Sequence, residues 1–236
     1  MGAPDPAARL AFPAPRLVCV PIADSDELFP VRRIYCVGRN YAAHIREMKG
    51  DEREPPFFFQ KPTDAIVLSD STIAYPSATV DFQHEVELVL AISRGGKDIP
   101  VADAATHVLG VAVGIDLTRR DLQFEARESG RPWESGKSFD QSAPLSAIRR
   151  LAGAAVPTQG RIWLSVNGVV KQDGDLREMI WRWDEIISQL SRLFTLRPGD
   201  LIYTGTPAGV GRIHPGDRLD GAIEGIDVVT VVCASR

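Results

Sequence analysis

Twenty glycines and seventeen prolines punctuate this chain of 236 residues at short intervals from end to end, and that spacing constrains the fold more than any other feature. Proline removes a backbone donor and clashes inside a helix, and glycine loses the most conformational freedom on ordering, so long helices are disfavoured. A strand-rich chain with many turns is the expectation. Residues 33–37 read as one strand and 57–61 as another, the second fenced from helix by Pro55, Pro56 and Pro62. Residues 85–93 and 108–116 are rich in Val, Leu and Ile, the pattern of interior strands. Residues 201–204 read as a strand between the turn triplets Pro198-Gly199-Asp200 and Pro215-Gly216-Asp217.

Helices are few and short in this reading. Ile186, Ile187, Leu190, Leu193 and Phe194 recur at the helical period and mark an amphipathic helix over 184–194. Asn40 is placed to cap a helix over 41–48 that Gly50 closes. Thr118, with Asp121 three residues on, resembles a capping box for a helix running to about residue 128, where Gly130 and Pro132 end it.

Length, with 44% hydrophobic and 25% charged residues, fits one globular catalytic domain or a domain with a short extension. The net charge of -4, with no run of Lys or Arg longer than two, supplies no basic stripe for a phosphate backbone, so nucleic acid is not an expected partner. Residues 1–18 carry Pro4, Pro6, Pro13 and Pro15 and lack the basic and apolar regions of a signal peptide. They read as an irregular lead-in. The longest uncharged apolar stretch, 108–115, is far short of the roughly 20 residues that span a bilayer, so no membrane association is expected. Cys19, Cys36 and Cys233 are odd in number and form no CxxC pattern, which points away from disulfides and zinc and toward a reducing, cytoplasmic setting.

The acidic residues are the informative ones. On a strand Glu85 and Glu87 share a face that continues with Val89 and Ala91, while His84, Val86, Leu88 and Leu90 take the other. Paired acids beside apolar positions repel each other and resist desolvation, so they require a positive partner, either a Lys or Arg or a metal ion. Asp116 ends the next apolar strand, on a face of Gly110, Ala112 and Gly114 stripped of bulk. That face leaves room for a ligand; alternatively Asp116 is a turn or cap residue before Thr118. Three hard oxygen donors without Cys or clustered His favour Mg2+ or Mn2+ over zinc or copper. His44 and Glu47 stand three residues apart and share a face of the expected short helix. A carboxylate beside an imidazole orients it and raises its basicity, as in a water-activating pair, although helix surfaces also carry such pairs without a role.

Four blocks occur in the order seen in the fumarylacetoacetate hydrolase family, which this chain resembles from about residue 30 onward. They are Tyr35-Cys36-Val37-Gly38-Arg39-Asn40-Tyr41, His84-Glu85-Val86-Glu87-Leu88, Gly136-Lys137-Ser138-Phe139-Asp140 and Tyr203-Thr204-Gly205-Thr206-Pro207-Ala208-Gly209-Val210-Gly211. Phe57-Phe58-Phe59-Gln60-Lys61-Pro62 and Asp140-Gln141-Ser142-Ala143-Pro144 are similar to the family's short bacterial members acting on acylpyruvates, those of the gentisate route in particular.

The resemblance implies an α+β fold, a mixed β-sandwich or roll with a few short outer helices, with residues 30–236 as the catalytic domain after a lead-in, 1–29. It implies a homodimer with one Mg2+ or Mn2+ per subunit on Glu85, Glu87 and Asp116. His44 and Glu47 match the family's lid dyad, and Lys137, Arg120 and Gln123 match positions that contact the substrate or its enolate. Thr206 matches the position that binds the keto acid carboxylate, and Lys61 matches a further site position with no assigned job. The implied activity is cleavage of the carbon-carbon bond of a small 2-keto acid, an acylpyruvate, with fumarylpyruvate giving fumarate and pyruvate. Two other readings stay open: decarboxylation of oxaloacetate or isomerisation or decarboxylation of a 2-hydroxy-dienoate on the same scaffold, and a non-catalytic binding protein. Fumarylpyruvate carries a distal carboxylate that calls for a cation. Arg32, Arg33, Arg39 and Arg46 surround the dyad segment, and the sequence does not choose among them.

Overall fold

The computed structural model describes residues 10–41 and 54–235. Its larger sheet runs in the order Phe57–Lys61, Arg33–Gly38, Asp200–Tyr203, Val86–Ile92, Val108–Ile115, Ala143–Leu145, Ile66–Leu68, with Arg149–Arg150 also pairing with Val108–Ile115. Asp200–Tyr203 lies parallel to Arg33–Gly38 and antiparallel to Val86–Ile92, which makes the sheet mixed. A second sheet has the order Val169–Asp175, Arg161–Val166, Arg218–Ile223, Asp227–Cys233, Ser71–Ile73. The α+β class and the sandwich of mixed sheets agree with expectation.

Alternation along the central strands explains how the layers meet. Leu88, Leu90, Val113 and Ile115 turn toward the second sheet and pack with Ile162, Leu164, Leu219 and Val231. Val89, Ala91 and Ala112 turn the opposite way, into a cluster with Val20, Ile22, Phe29 and Leu201. Both faces are covered, which is why these strands are apolar at nearly every position. The lead-in segment contributes to this second cluster from Cys19 onward. Cys19–Pro21 pairs with Leu28–Pro30, and their alternate side chains Val20 and Phe29 are buried in the second cluster.

The amphipathic helix forms over Trp183–Leu193, buries Ile186, Ile187 and Leu190, and is closed at its start by the Glu185 carboxylate accepting the Arg182 N–H at 2.9 Å. The capping box expected at Thr118 does not form. Thr118–Arg119 is a strand paired with Phe82–His84, the helix begins at Arg120, and the Asp121 carboxylate accepts from Thr79 and from the Val80 N–H. Strand pairing holds Thr118 extended, so its hydroxyl is free for another use. The helix expected over 41–48 lies outside the described residues. Asn40 itself donates to the carbonyls of Thr204 at 2.7 Å and Trp181 at 2.9 Å and accepts the Trp181 N–H at 2.8 Å. Among the described residues no helix is long and apolar enough to cross a membrane.

A three-stranded sheet of Thr118–Arg119, Phe82–His84 and Gly211–Arg212 completes the layout. The chain leaves it at His84 and enters the large sheet at Val86. Glu85 sits at that crossing.

Candidate active site

The crossing sets the geometry of the three acids. The Glu85 carbonyl accepts the Asp116 N–H at 2.8 Å, and Glu87 lies opposite Gly114 in the antiparallel register. Glu85, Glu87 and Asp116 therefore converge where two strands end; all three are buried, and one oxygen of each lies within 4.8 Å of the others. The bare glycine face does not hold the ligand space. A Cβ on Gly114 would stand 2.4 Å from the Tyr203 ring, and one on Gly110 2.5 Å from the Arg149 carbonyl oxygen. Those glycines admit a ring and a crossing strand, while the open pocket lies beside the acids between Gly38, Trp133 and Thr206.

Positive partners reach two of the acids. Lys137 Nζ donates to Glu85 at 2.8 Å, to Asp116 at 2.6 Å and to the Thr118 hydroxyl at 2.7 Å. It ends the short helix Glu134–Lys137, brought close because Gly136 has no Cβ, which would meet the Gln123 backbone nitrogen at 2.8 Å. Burial opposes the ammonium charge, but Asp116 and Glu85 outweigh it and raise the Lys137 pKa. Arg120 pairs with Glu85 and donates to Gln83 at 2.8 Å and to Gln123, one turn on, at 2.5 Å.

Glu87 is different. It accepts the Gly205 N–H at 2.7 Å, but among the described residues no ion pair reaches it. Burial, then repulsion by Asp116 and Glu85, pushes its carboxyl well above the ordinary range. A divalent cation shared by the three acids fits this donor set, since it supplies hard-ion coordination and the positive charge that Glu87 lacks. Glu85, Glu87 and Asp116 against Lys61, Lys137 and Arg120 already balance at three charges each. A divalent ion leaves the cluster net positive and suited to an anionic ligand.

Thr206 is held from the second sheet. Gln172, on Val169–Asp175, donates to the Thr206 hydroxyl at 2.8 Å and the Pro207 carbonyl at 3.0 Å. Its amide oxygen accepts the Val86 N–H at 3.1 Å and faces His84 Nδ1 at 2.9 Å, so Nδ1 carries the proton of that bond. Burial lowers the His84 pKa. Gly205 has φ +96° and packs so closely on Asn40 that a Cβ would come within 2.6 Å of the Asn40 Cβ.

The expected residues Lys137, Arg120, Gln123 and Thr206 thus meet the acids at one pocket. Lys61 is placed elsewhere. Its Nζ is buried behind Asp116, 2.9 Å from Oδ1, and donates to the carbonyls of Leu117 at 3.2 Å and of Lys137. It supports an acid and the lysine segment and does not face the open pocket. Lys61→Met is accordingly expected to weaken Mn2+ binding about 10- to 100-fold, as losses of supporting partners do. A titration of free Mn2+ by electron paramagnetic resonance measures this, and an unchanged affinity removes the supporting role. His44, Glu47 and Arg46 lie outside the described residues. Gln172 and Trp133 were not singled out in the sequence, where they stand in segments with no ligand-like spacing.

The family model described as Fumarylacetoacetate (FAA) hydrolase C-terminal matches residues 33–232. The chain is 44% identical over 178 residues, 75% of its length and 92% of the relative's, to a fumarylpyruvate hydrolase of a Ralstonia species. It is 40% identical over 195 residues, 83% of its length and 88% of the relative's, to the mitochondrial oxaloacetate tautomerase FAHD1 of Rattus norvegicus. Among solved structures it resembles the fumarylpyruvate hydrolase of Pseudomonas aeruginosa in complex with Mn2+ and pyruvate, with a TM-score of 0.93 and 50% identity, covering 97% of this chain and 100% of that one.

Proposed function

This chain belongs to the fumarylacetoacetate hydrolase family, and from that premise we propose that it is a divalent-metal-dependent hydrolase cleaving acylpyruvates, with fumarylpyruvate giving fumarate and pyruvate. The observation that carries the reading is the buried acidic triad with its uncompensated Glu87, in a chain half identical to a hydrolase crystallised with Mn2+ and pyruvate.

Glu85, Glu87 and Asp116 would hold the ion, which supplies a Lewis acid drawing charge from the keto acid end of the substrate. Thr206, fixed by Gln172, binds the keto acid carboxylate. Gln123 presents its amide donor, and Lys137 its positive charge, to the negative charge that develops as the bond breaks. The three bonds from Lys137 to Glu85, Asp116 and Thr118 fix it beforehand, so little reorganisation is needed. His44, oriented by Glu47, takes a proton from the water that attacks the carbonyl remote from the carboxylate, and that proton is then available to the departing carbon. Hard oxygen donors suit Mg2+ as well as Mn2+. A homodimer, a cytoplasmic setting and a place in aromatic catabolism complete the reading.

The test follows pyruvate release with Mn2+ from fumarylpyruvate, maleylpyruvate and acetylpyruvate, beside oxaloacetate. Likeness to the oxaloacetate tautomerase favours a second reading, the interconversion of enol and keto oxaloacetate, which releases no pyruvate. His44→Ala is expected to lower hydrolysis about 10²- to 10⁴-fold, the usual worth of a general base, with Mn2+ affinity little altered. Wild-type turnover in that variant removes His44 from the water-activation step.

A further inference from the structure

Arg39 stands in the pocket wall with Glu87, Lys137 and Thr206, and the chemistry derived so far gives it no task. Its side chain is 20% exposed, and its Nε is buried with no hydrogen-bond partner among the described residues. Its one ion pair among those residues is through Nη1 to Glu54, 3.9 Å away and 64% exposed. A buried guanidinium donor on a pocket-lining residue, with no acceptor among the described residues, is a group whose partner can arrive with the ligand.

Arg32 and Arg33 are already engaged. Arg33 grips Asp200 through Nε at 2.9 Å and Nη2 at 2.6 Å, and Arg32 lies 3.5 Å from the same carboxylate. That two-point grip is the mode a guanidinium edge offers any carboxylate. On Arg39 the same Nε edge is without a partner among the described residues, and the guanidinium lies 5.8 Å from the Phe57 ring. Burial, then the neighbouring Arg127, pushes the Arg39 pKa down, the mark of a cation short of negative charge.

We propose that Arg39 receives the carboxylate at the far end of the acyl arm and so selects dicarboxylic acylpyruvates over neutral ones, an assignment that rests on the hydrolase reading above. Its position relative to the keto acid grip is fixed. Asn40, the next residue, donates to the Thr204 carbonyl at 2.7 Å, two residues before Thr206. One rigid connection therefore sets the separation of the two carboxylate grips, and the pocket selects arm length as well as charge. The backbone at Arg39 is left-handed, φ +56°, a conformation uncommon for a side-chain-bearing residue and found where the surrounding structure enforces it.

The experiment compares kcat/KM for fumarylpyruvate and acetylpyruvate in wild type, Arg39→Gln and Arg39→Lys, and measures product inhibition by fumarate and pyruvate. Glutamine is no worse than arginine at the left-handed φ, so the variant tests charge and not the turn. The wild type is expected to prefer fumarylpyruvate, and Arg39→Gln to lower the ratio of the two kcat/KM values roughly 30-fold or more, the effect of truncating one partner of a buried charge pair. Arg39→Lys should fall between. Fumarate inhibition should weaken in Arg39→Gln far more than pyruvate inhibition. An unchanged ratio, or equal weakening for both products, overturns the proposal. If the wild type releases pyruvate from neither substrate, the hydrolase reading fails, and calorimetric binding of fumarate to wild type and Arg39→Gln still decides the arginine's role.

Discussion

Glu87→Gln is expected to abolish hydrolysis while making the metal-stripped protein more stable. Activity falls at least about a thousandfold, because a Lewis acid contributes several kcal/mol to such chemistry and an amide is a poorer ligand than a carboxylate. The stability change has the opposite sign because Glu87 is buried beside two other acids and is met by the Gly205 N–H rather than a cation. The amide oxygen of glutamine still accepts that N–H, while the repulsion and most of the desolvation cost disappear, a gain of about 1–3 kcal/mol. The measurement is thermal unfolding in chelator and in excess Mn2+. The variant's midpoint should rise by several degrees in chelator, and the further rise that Mn2+ gives the wild type should be lost. A lower midpoint in chelator with the Mn2+ response intact would remove Glu87 from the ligand set. Glu85→Ala and Asp116→Ala also abolish activity but lower the midpoint, since each releases a buried cation from its partner.

Lys137→Met has the second large effect, and there the metal separates folding from catalysis. The ammonium bridges Glu85 and Asp116 in the interior, so its loss leaves Glu85 with Arg120 alone and Asp116 with Lys61 alone, costing up to about 3–5 kcal/mol in the metal-stripped protein. For a chain of this length that is a fall in midpoint on the order of 10 °C. Mn2+ supplies positive charge to the same acids and is expected to recover most of the lost stability. It does not recover turnover, which stays down about 10²- to 10³-fold because a fixed positive charge beside the developing negative charge is gone. A variant whose activity returns together with its midpoint would show that Lys137 acts only as a structural counter-ion.

The acids were legible in the sequence because a strand imposes a period of two, and two glutamates on one face among apolar neighbours call for a cation, though the pair alone does not choose among Lys, Arg and a metal ion. Asp116 was legible as the end of an apolar run, but the glycines before it were misread. Their bareness admits Tyr203 and the Arg149 backbone, and no sequence period distinguishes room for a ligand from room for a neighbouring strand. The capping signal at Thr118 was overridden by pairing to Gln83, a long-range contact that local propensity does not register. Lys61 and Gln172 show the same limit from two sides. Each acts on the site from behind, and Gln172 does so from a strand of the other sheet, where its neighbours are mostly exposed.

That strand makes an unusual outer boundary for an active site. Val169–Asp175 is the last of its sheet, with Arg161–Val166 on its one paired side, the kind of margin where chains ordinarily accept substitutions and insertions freely. Here one residue in seven is committed to a hydroxyl in another layer. An insertion of a single residue upstream of Gln172 within the strand would reverse its facing and point the amide to solvent, leaving the metal ligands untouched and the keto acid grip without its anchor. The margin is thus free to drift in composition but not in length.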